Sequence, residues 1–82
     1  MPTILYIAGW RFFFYSNESN EPVHIHAQKA GKEAKYWLKV KEFEIVEAFS
    51  YKLSPNDKRE VKKIIYAHFD YFVEQWNNYF KK

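Results

Sequence analysis

Cysteine is absent from the 82 residues of this chain. Without cysteine the protein forms no disulfide framework and offers no thiolate ligand to a metal, which suits a reducing compartment. No apolar run approaches the roughly 20 residues that a membrane-spanning helix needs. The first residues also lack the basic and then apolar segments of a secretory signal. The sequence therefore predicts a cytoplasmic protein with no membrane partner.

Recognisable catalytic motifs are also missing from the chain. There is no Ser-His-Asp set, no Gly-rich phosphate loop and no pair of carboxylates at a distinctive spacing. Whether the protein is an enzyme therefore stays open on the sequence alone. No cofactor is predicted, because no cofactor motif is present.

Aromatic residues are abundant, at 22% of the chain. A chain this short buries only about 60–65% of the surface that its unfolded form exposes, so its core is thin. Each buried aromatic side chain removes roughly 150–250 Å² from water, and a few of them fill a small core. We therefore predict a single domain that spans residues 1–82.

Alternating and aromatic-rich segments predict the strands of a small antiparallel sheet. In the second strand, Trp10, Phe12 and Phe14 share one face. Gly31 predicts a tight hairpin turn, because it supplies the positive φ that such turns need. The fifth predicted strand, residues 43–50, also has helical features, but its alternation of apolar and polar residues favours a strand. The predicted strands cover residues 3–8, 10–16, 23–29, 33–40 and 43–50.

A helix is predicted to follow the sheet. Ser54 is a good N-cap, Pro55 fits the first helical position, and Asp57 stands three residues after the cap. No proline or glycine interrupts the segment before about Tyr79. The predicted fold is therefore α+β, with four or five strands followed by one long C-terminal helix packed on one face. Its last turn is predicted to project and to offer Trp76 and Phe80 to a partner.

Two histidines in the third predicted strand mark the face of greatest interest. His24 and His26 lie two apart, so they share one face of the strand with Gln28. Val23, Ile25 and Ala27 face the other way, toward the core. Imidazoles near neutral pH act as ligands, acids, bases or phosphate-binding cations.

Lysines concentrate just beyond these histidines. Five of them lie between residues 28 and 41, against one acidic residue. The hairpin predicts that Lys and Trp side chains of the fourth strand adjoin the histidine face. Such a patch either binds an anion or nucleic acid, or is a solvated sheet edge. The predicted anion-binding residues are Lys29, Lys35, Trp37 and Lys39.

Three kinds of chemistry fit the histidine strand. Metal-free RNA cleavage needs an acid, a base and a cation, for which His24, His26 and Arg11 are candidates. A metal site would use the same two histidines with Glu18, Glu21 or His68 as a further ligand. The third alternative is an interaction module that performs no chemistry and binds through aromatic side chains.

The chain resembles a family of small bacterial proteins grouped as domain of unknown function 4160. The family has a Pro-Pro-His-hydrophobic-His-hydrophobic signature, from which this chain departs by placing Glu21 at the first proline. The similarity lies in residues 4–18, 21–26, 33–38 and 53–77. The resemblance implies a short sheet followed by a helix in a bacterial cytoplasmic protein. It also implies a neighbouring gene for another small protein, in pairs proposed to be toxin–antitoxin modules.

The predicted function is a small toxin–antitoxin-type module that binds a protein partner through a face bearing His and Lys, with RNA as a further candidate ligand of that face. The partner would be a cognate antitoxin or toxin. A metal-binding protein that uses His24 and His26 is the first alternative, and a non-catalytic interaction module is the second. The sequence leaves the oligomeric state open, with a homodimer among the options.

Overall fold

Each strand of the sheet pairs with the next strand along the chain. The computed structural model describes residues 3–15 and 20–80, and all of its strand pairs are antiparallel in the order β1-β2-β3-β4-β5. The predicted α+β class is confirmed, including the fifth strand. The strands are β1 Thr3–Ile7, β2 Trp10–Phe13, β3 His24–Lys29, β4 Lys32–Lys39 and β5 Glu44–Tyr51.

Two-residue turns connect β1 to β2 and β3 to β4. Ala8 and Gly9 have φ values of 53° and 81°, and Ala30 and Gly31 have 48° and 82°. Positive φ at both central residues is the hallmark of the type I′ turn, whose twist matches that of the flanking strands. The predicted turn at Gly31 is confirmed, and it sets the pairing of β3 with β4.

The hydrophobic core lies between one face of the sheet and two helices, α1 Pro55–Ala67 and α2 Phe69–Tyr79. Phe12 packs on Phe72, with ring centroids 5.4 Å apart, and Phe14 packs on Trp76 at 5.3 Å. Trp10, Phe12 and Phe14 share one face as predicted, and the structure shows that this face is the core side. The buried core residues are Trp10, Phe12, Phe14, Ile25, Ala27, Ala34, Tyr36, Leu38, Ile45, Val61, Ile65, Phe69, Phe72 and Trp76.

The prediction of one long C-terminal helix is wrong, because the helix breaks at His68. This residue has φ −121° and ψ 22°, and its amide N–H lies between the carbonyls of Ile64 and Ile65, at 3.1 and 3.2 Å. The His68 Nδ1 atom also lies 3.0 Å from the Ile64 carbonyl oxygen. The Ile64 carbonyl is thus close to both the amide and the side chain of His68, the residue at which the backbone leaves helical dihedral angles. No proline or glycine marks the break, so helical periodicity alone does not reveal it.

The predicted start of α1 is confirmed as a capping box. The Asp57 amide donates to Ser54 Oγ at 3.0 Å, and the Ser54 amide donates to Asp57 Oδ2 at 3.1 Å. Lys32 Nζ also donates to Asp57 Oδ2, at 2.9 Å. This box ties the first turn of α1 to the beginning of β4.

Replacement of Asp57 by asparagine should reduce the loss of unfolding free energy that accompanies a fall in pH. The Lys32 ammonium and the Ser54 amide hold the pKa of the Asp57 carboxyl below its ordinary value of 3.8. A folded-state pKa below the unfolded one stabilises the protein above the unfolded pKa, and this contribution is lost as pH falls through the folded pKa. Urea denaturation of Asp57→Asn between pH 7 and pH 2 should give a shallower decline than the wild type. Asp70→Asn, on α2, is the control, and profiles of equal slope would contradict the prediction.

Tyrosines from the helices reach both edges of the sheet. At the β5 edge, the Ile45 amide donates to the Tyr66 hydroxyl at 3.2 Å. At the β1 edge, the Tyr71 hydroxyl donates to the Ile4 carbonyl at 3.3 Å. Unpaired edge groups are templates for pairing with another chain, so these contacts protect the sheet from edge association.

Replacement of Tyr66 by phenylalanine should remove the cover of the β5 edge and leave the ring packing in place. The expected loss of unfolding free energy is about 1 kcal/mol, which is typical of one hydrogen bond. The variant should also self-associate more readily, as measured by analytical ultracentrifugation. Tyr79→Phe is the matched control, because Tyr79 is exposed on α2. Equal self-association in the two variants would count against an edge-capping role.

Candidate functional site

The two histidines of β3 lie on the sheet face opposite the helices. His24 pairs with Trp37 and His26 pairs with Lys35 across the β3–β4 hairpin. Directly opposite residues of an antiparallel pair share a face, so the histidines adjoin the Lys and Trp side chains of β4. The register predicted from the hairpin is therefore confirmed. We call this surface the histidine face.

His26 is enclosed by aromatic rings rather than open to solvent. Its side chain is stacked on Phe13, with ring centroids 5.2 Å apart and an angle of 17° between the planes. Tyr15 approaches it edge-on at 4.8 Å, and Phe49 lies at 6.4 Å. Only 3% of His26 is exposed. The expectation of an open imidazole is wrong at this position, because neighbouring strands supply large rings on the same face.

His24 is enclosed in the same way, and it contacts the helix layer as well. Its ring lies 5.3 Å from Trp37 and 4.7 Å from Trp76 of α2, and 1% of the residue is exposed. Its Nδ1 atom lies 2.9 Å from the Pro22 carbonyl oxygen. His24 lies on the face opposite the helices and still contacts α2, because the large Trp76 indole lies against both Phe14 and His24.

The charges on the histidine face are largely compensated. The Lys35 Nζ atom lies 2.8 Å from Glu21 Oε1 and 4.4 Å from the Trp37 ring centroid. Glu33 Oε2 lies 3.8 Å from His26 Nδ1. Arg11 lies over Phe13, at 4.4 Å from the ring centroid. Aromatic rings therefore dominate the histidine face, and its cations lie beside rings or carboxylates.

The predicted anion-binding residues divide between two places. Lys35 and Trp37 lie beside the histidines, and Lys39 follows on the same face of β4. Lys29 lies elsewhere, because it alternates with Gln28 and points to the helix side. Its Nζ atom donates to the Ala8 carbonyl at 3.2 Å and lies 5.5 Å from the Trp10 ring centroid. The placement of Lys29 on the histidine face is therefore wrong.

β5 supplies three exposed large side chains to the histidine face, a feature that was not predicted from the sequence. Val46, Phe49 and Tyr51 are 41%, 44% and 57% exposed, and they pair with residues of β4 that line this face. We call these three residues the β5 strip. The register shifts between Lys35 and Tyr36, where β5 carries an extra residue. This bulge brings Phe49 to the same face as Val46, whereas strict alternation separates residues three apart.

The candidate partner residues of the last helix pack against the fold instead of projecting. Trp76 is 6% exposed, and its ring lies 4.3 Å from that of Phe80. Phe80 is half-buried and also packs on Phe14, at 5.2 Å. The prediction of a projecting last turn is wrong for Trp76, because the thin core recruits this ring. The three rings instead close one end of the core.

The geometry bears on the two chemical hypotheses for the histidines. RNA cleavage needs acid and base groups that contact a 2′-hydroxyl and a leaving oxygen. The burial of His24 and His26 beneath aromatic rings favours a packing role, and their catalytic role with Arg11 stays a prediction. Within residues 3–15 and 20–80, no group of three or more His, Cys, Asp or Glu is placed to hold a metal. Glu18, one of the candidate ligands, lies outside the described residues.

Neither helix of the described residues, α1 or α2, is long and apolar enough to cross a membrane.

The fold and this face together define a class: small α+β domains whose sheet carries helices on one side and an aromatic surface on the other. The family model of the domain of unknown function (DUF4160) matches residues 9–77, so the chain belongs to this family. The predicted resemblance is thereby confirmed. Neither the curated proteins nor the solved structures gave a match to the chain.

Proposed function

We propose that this protein is a toxin–antitoxin-type module that binds a protein partner through the β5 strip. The observation that carries the proposal is the placement of Val46, Phe49 and Tyr51, three large apolar side chains exposed on one face. Neighbouring exposed apolar residues of this size are typical of interaction sites. In the described part of the chain, both helices lie on the opposite side of the sheet.

The β5 strip rests on a rigid layer. Phe49 lies against His26, and His26 is stacked on the fully buried Phe13. A side chain held from below loses little conformational entropy when it is buried by a partner, so more of its contact energy contributes to affinity. The buried histidines therefore support the β5 strip by packing beneath it, a role that requires no reaction of the imidazoles.

The charge around the strip indicates the chemistry of the partner. The chain carries a net charge of +3. Lys52 Nζ lies 5.3 Å from the Tyr51 ring centroid, and Lys39 is exposed at the other end of β4. Glu44 lies opposite Lys39 and Glu33 lies opposite Tyr51, so charges of both signs flank the strip. A partner that presents apolar anchors flanked by charges of both signs complements this arrangement. The resemblance to the family suggests the small protein encoded by the neighbouring gene, as antitoxin or as toxin.

Replacement of Phe49 by alanine should weaken the complex with that neighbouring protein. The expected loss is about 2 kcal/mol, which raises the Kd about 30-fold, because a central aromatic anchor is removed. Isothermal titration calorimetry of the purified proteins measures the change. Val40→Ala is the control, because Val40 is similarly exposed but lies in the β4–β5 turn.

Two outcomes would overturn the proposal. One is the absence of a complex between the wild-type protein and its neighbour at micromolar concentrations. The other is an equal loss of affinity in Phe49→Ala and Val40→Ala, with both variants folded by circular dichroism. Wild-type affinity in Val40→Ala together with weakened binding in Phe49→Ala would support binding through the β5 strip.

RNA is the second candidate ligand, and a specific observation favours it. Lys35 lies over the ring of Trp37, at 4.4 Å from the ring centroid, and Trp37 is only partly buried. Cations beside aromatic rings are the usual elements of surfaces that stack single-stranded bases. Binding to a uridine oligonucleotide should weaken steeply with salt and fall in Lys35→Gln. Affinity that is independent of salt would exclude this mode.

A further inference from the structure

A separate cavity lies on the helix side of the sheet, between the β1–β2 turn and α1. Its volume is about 440 Å³, within the range of small-molecule sites. It does not include any residue of the histidine face or of the β5 strip. The lining residues are Ile7, Ala8, Asn56, Arg59, Glu60, Lys63 and Ile64.

The helical wall of the cavity combines two cations with an apolar side chain. Arg59 and Lys63 are one turn apart on α1, so their side chains are neighbours on the helix surface. Arg59 Nη2 donates to Asn56 Oδ1 at 2.8 Å, which holds the guanidinium at this wall. Ile64 continues the wall, and Ile7 faces the cavity from the end of β1.

Glu60, the acidic residue that lines the cavity, is hydrogen-bonded to a residue of the core. Glu60 Oε1 accepts a hydrogen bond from Trp10 Nε1 at 3.0 Å. The wall therefore carries two cations and one carboxylate that is tied to the indole of a fully buried residue. The net charge of +1 matches a monoanion, and the apolar residues match a short hydrocarbon body.

The turn that closes the other side is held in place. Lys29 Nζ donates to the Ala8 carbonyl, and a Cβ atom added at Gly9 would lie 3.1 Å from Lys29 Cε. Lys29 therefore stabilises the β1–β2 turn and does not contribute to the histidine face. The cavity is open to solvent, but because its turn side is already held in place, ordering of that side costs little free energy when a ligand binds.

We propose that this cavity binds a small monocarboxylate with a short apolar body. The carboxylate lies between Arg59 and Lys63, and the hydrocarbon body packs against Ile7 and Ile64. A guanidinium and an ammonium form charge-assisted hydrogen bonds with a carboxylate. The apolar residues select against a bare inorganic anion, which has no surface to bury against them.

NMR titration of the ¹⁵N-labelled protein with 4-methylpentanoate tests this proposal. Saturable shifts of the Ile7, Ala8 and Ile64 amides are expected, with a Kd on the order of 1–10 mM for a ligand of this size. Arg59→Gln and Lys63→Gln should each raise the Kd about tenfold, the usual effect of one charge-assisted hydrogen bond. Lys62→Gln is the control, because Lys62 is exposed on α1 and does not line the cavity.

The neutral amide 4-methylpentanamide and inorganic phosphate complete the experiment. Weaker binding of both probes than of 4-methylpentanoate supports a carboxylate site with an apolar pocket. Equal binding of the amide, or equal effects of Lys62→Gln and Lys63→Gln, would overturn the role of the two cations. Phosphate binding as tight as that of the carboxylate would reduce the site to charge alone and overturn the proposed ligand class. The absence of shifts up to about 50 mM, which is at least about five times the expected Kd, would overturn the site itself.

Discussion

Replacement of Trp76 by alanine is expected to lower the unfolding free energy by about 3–5 kcal/mol, the usual cost of removing a buried aromatic ring. A domain of this size has only about 4–12 kcal/mol in total, so this loss removes about a quarter of the stability or more. The reason is the position of the ring, which contacts Phe14, His24 and Phe80. Urea denaturation followed by near-ultraviolet circular dichroism measures the loss.

The control for this experiment is Tyr79→Ala, on the same helix. Tyr79 is about half exposed, so its truncation removes less buried surface and should cost clearly less than Trp76→Ala. A Trp76→Ala variant with wild-type stability but no affinity for the partner would contradict the prediction. It would instead restore the hypothesis that Trp76 is a partner anchor.

Replacement of His26 by alanine is expected to cost about 2–4 kcal/mol, somewhat less than the loss of a larger buried ring. The variant loses the stacked contact with Phe13 and the edge contact with Tyr15. His26→Phe keeps a planar ring of similar size and should recover most of this stability. Thermal unfolding of the two variants, with His68→Ala as a half-buried histidine control, provides the comparison.

The same pair of variants separates packing from chemistry. If His26 supports the β5 strip by packing, His26→Phe should bind the neighbouring protein with an affinity close to that of the wild type. If the imidazole is a catalytic group, growth arrest upon expression should be lost in His26→Phe while the variant remains folded. That second outcome would contradict the packing role, because a phenyl ring carries no exchangeable proton.

Local features of the chain followed directly from its sequence. The capping box at Ser54 and Asp57, the turn at Gly31 and the pairing of His24 with Trp37 depend on residues close to one another along the chain. Short-range hydrogen bonds and the steric requirement for positive φ act in any tertiary context. For that reason the hairpin between β3 and β4 and the face that the histidines occupy could be predicted.

Burial at the candidate site could not be predicted in the same way. His24 and His26 are polar residues on the outer side of the sheet, yet rings from β2, β4 and α2 enclose them. Of these rings, only Trp37 follows from the β3–β4 hairpin. Phe13 and Trp76 come from other elements, and alternation within β3 carries no information about them. The same holds for Trp76, whose helical position was compatible with either packing or projection.

What the sequence determined by itself was the α+β class, the antiparallel hairpins, the start of the helical segment and the face on which the histidines lie. Tertiary structure alone decided the helix break at His68, the enclosure of the histidines, the place of Lys29 and the exposure of the β5 strip. The physical reason is range: hydrogen-bond caps and turn conformations are local, whereas burial and register shifts depend on which distant side chains fill a thin aromatic core.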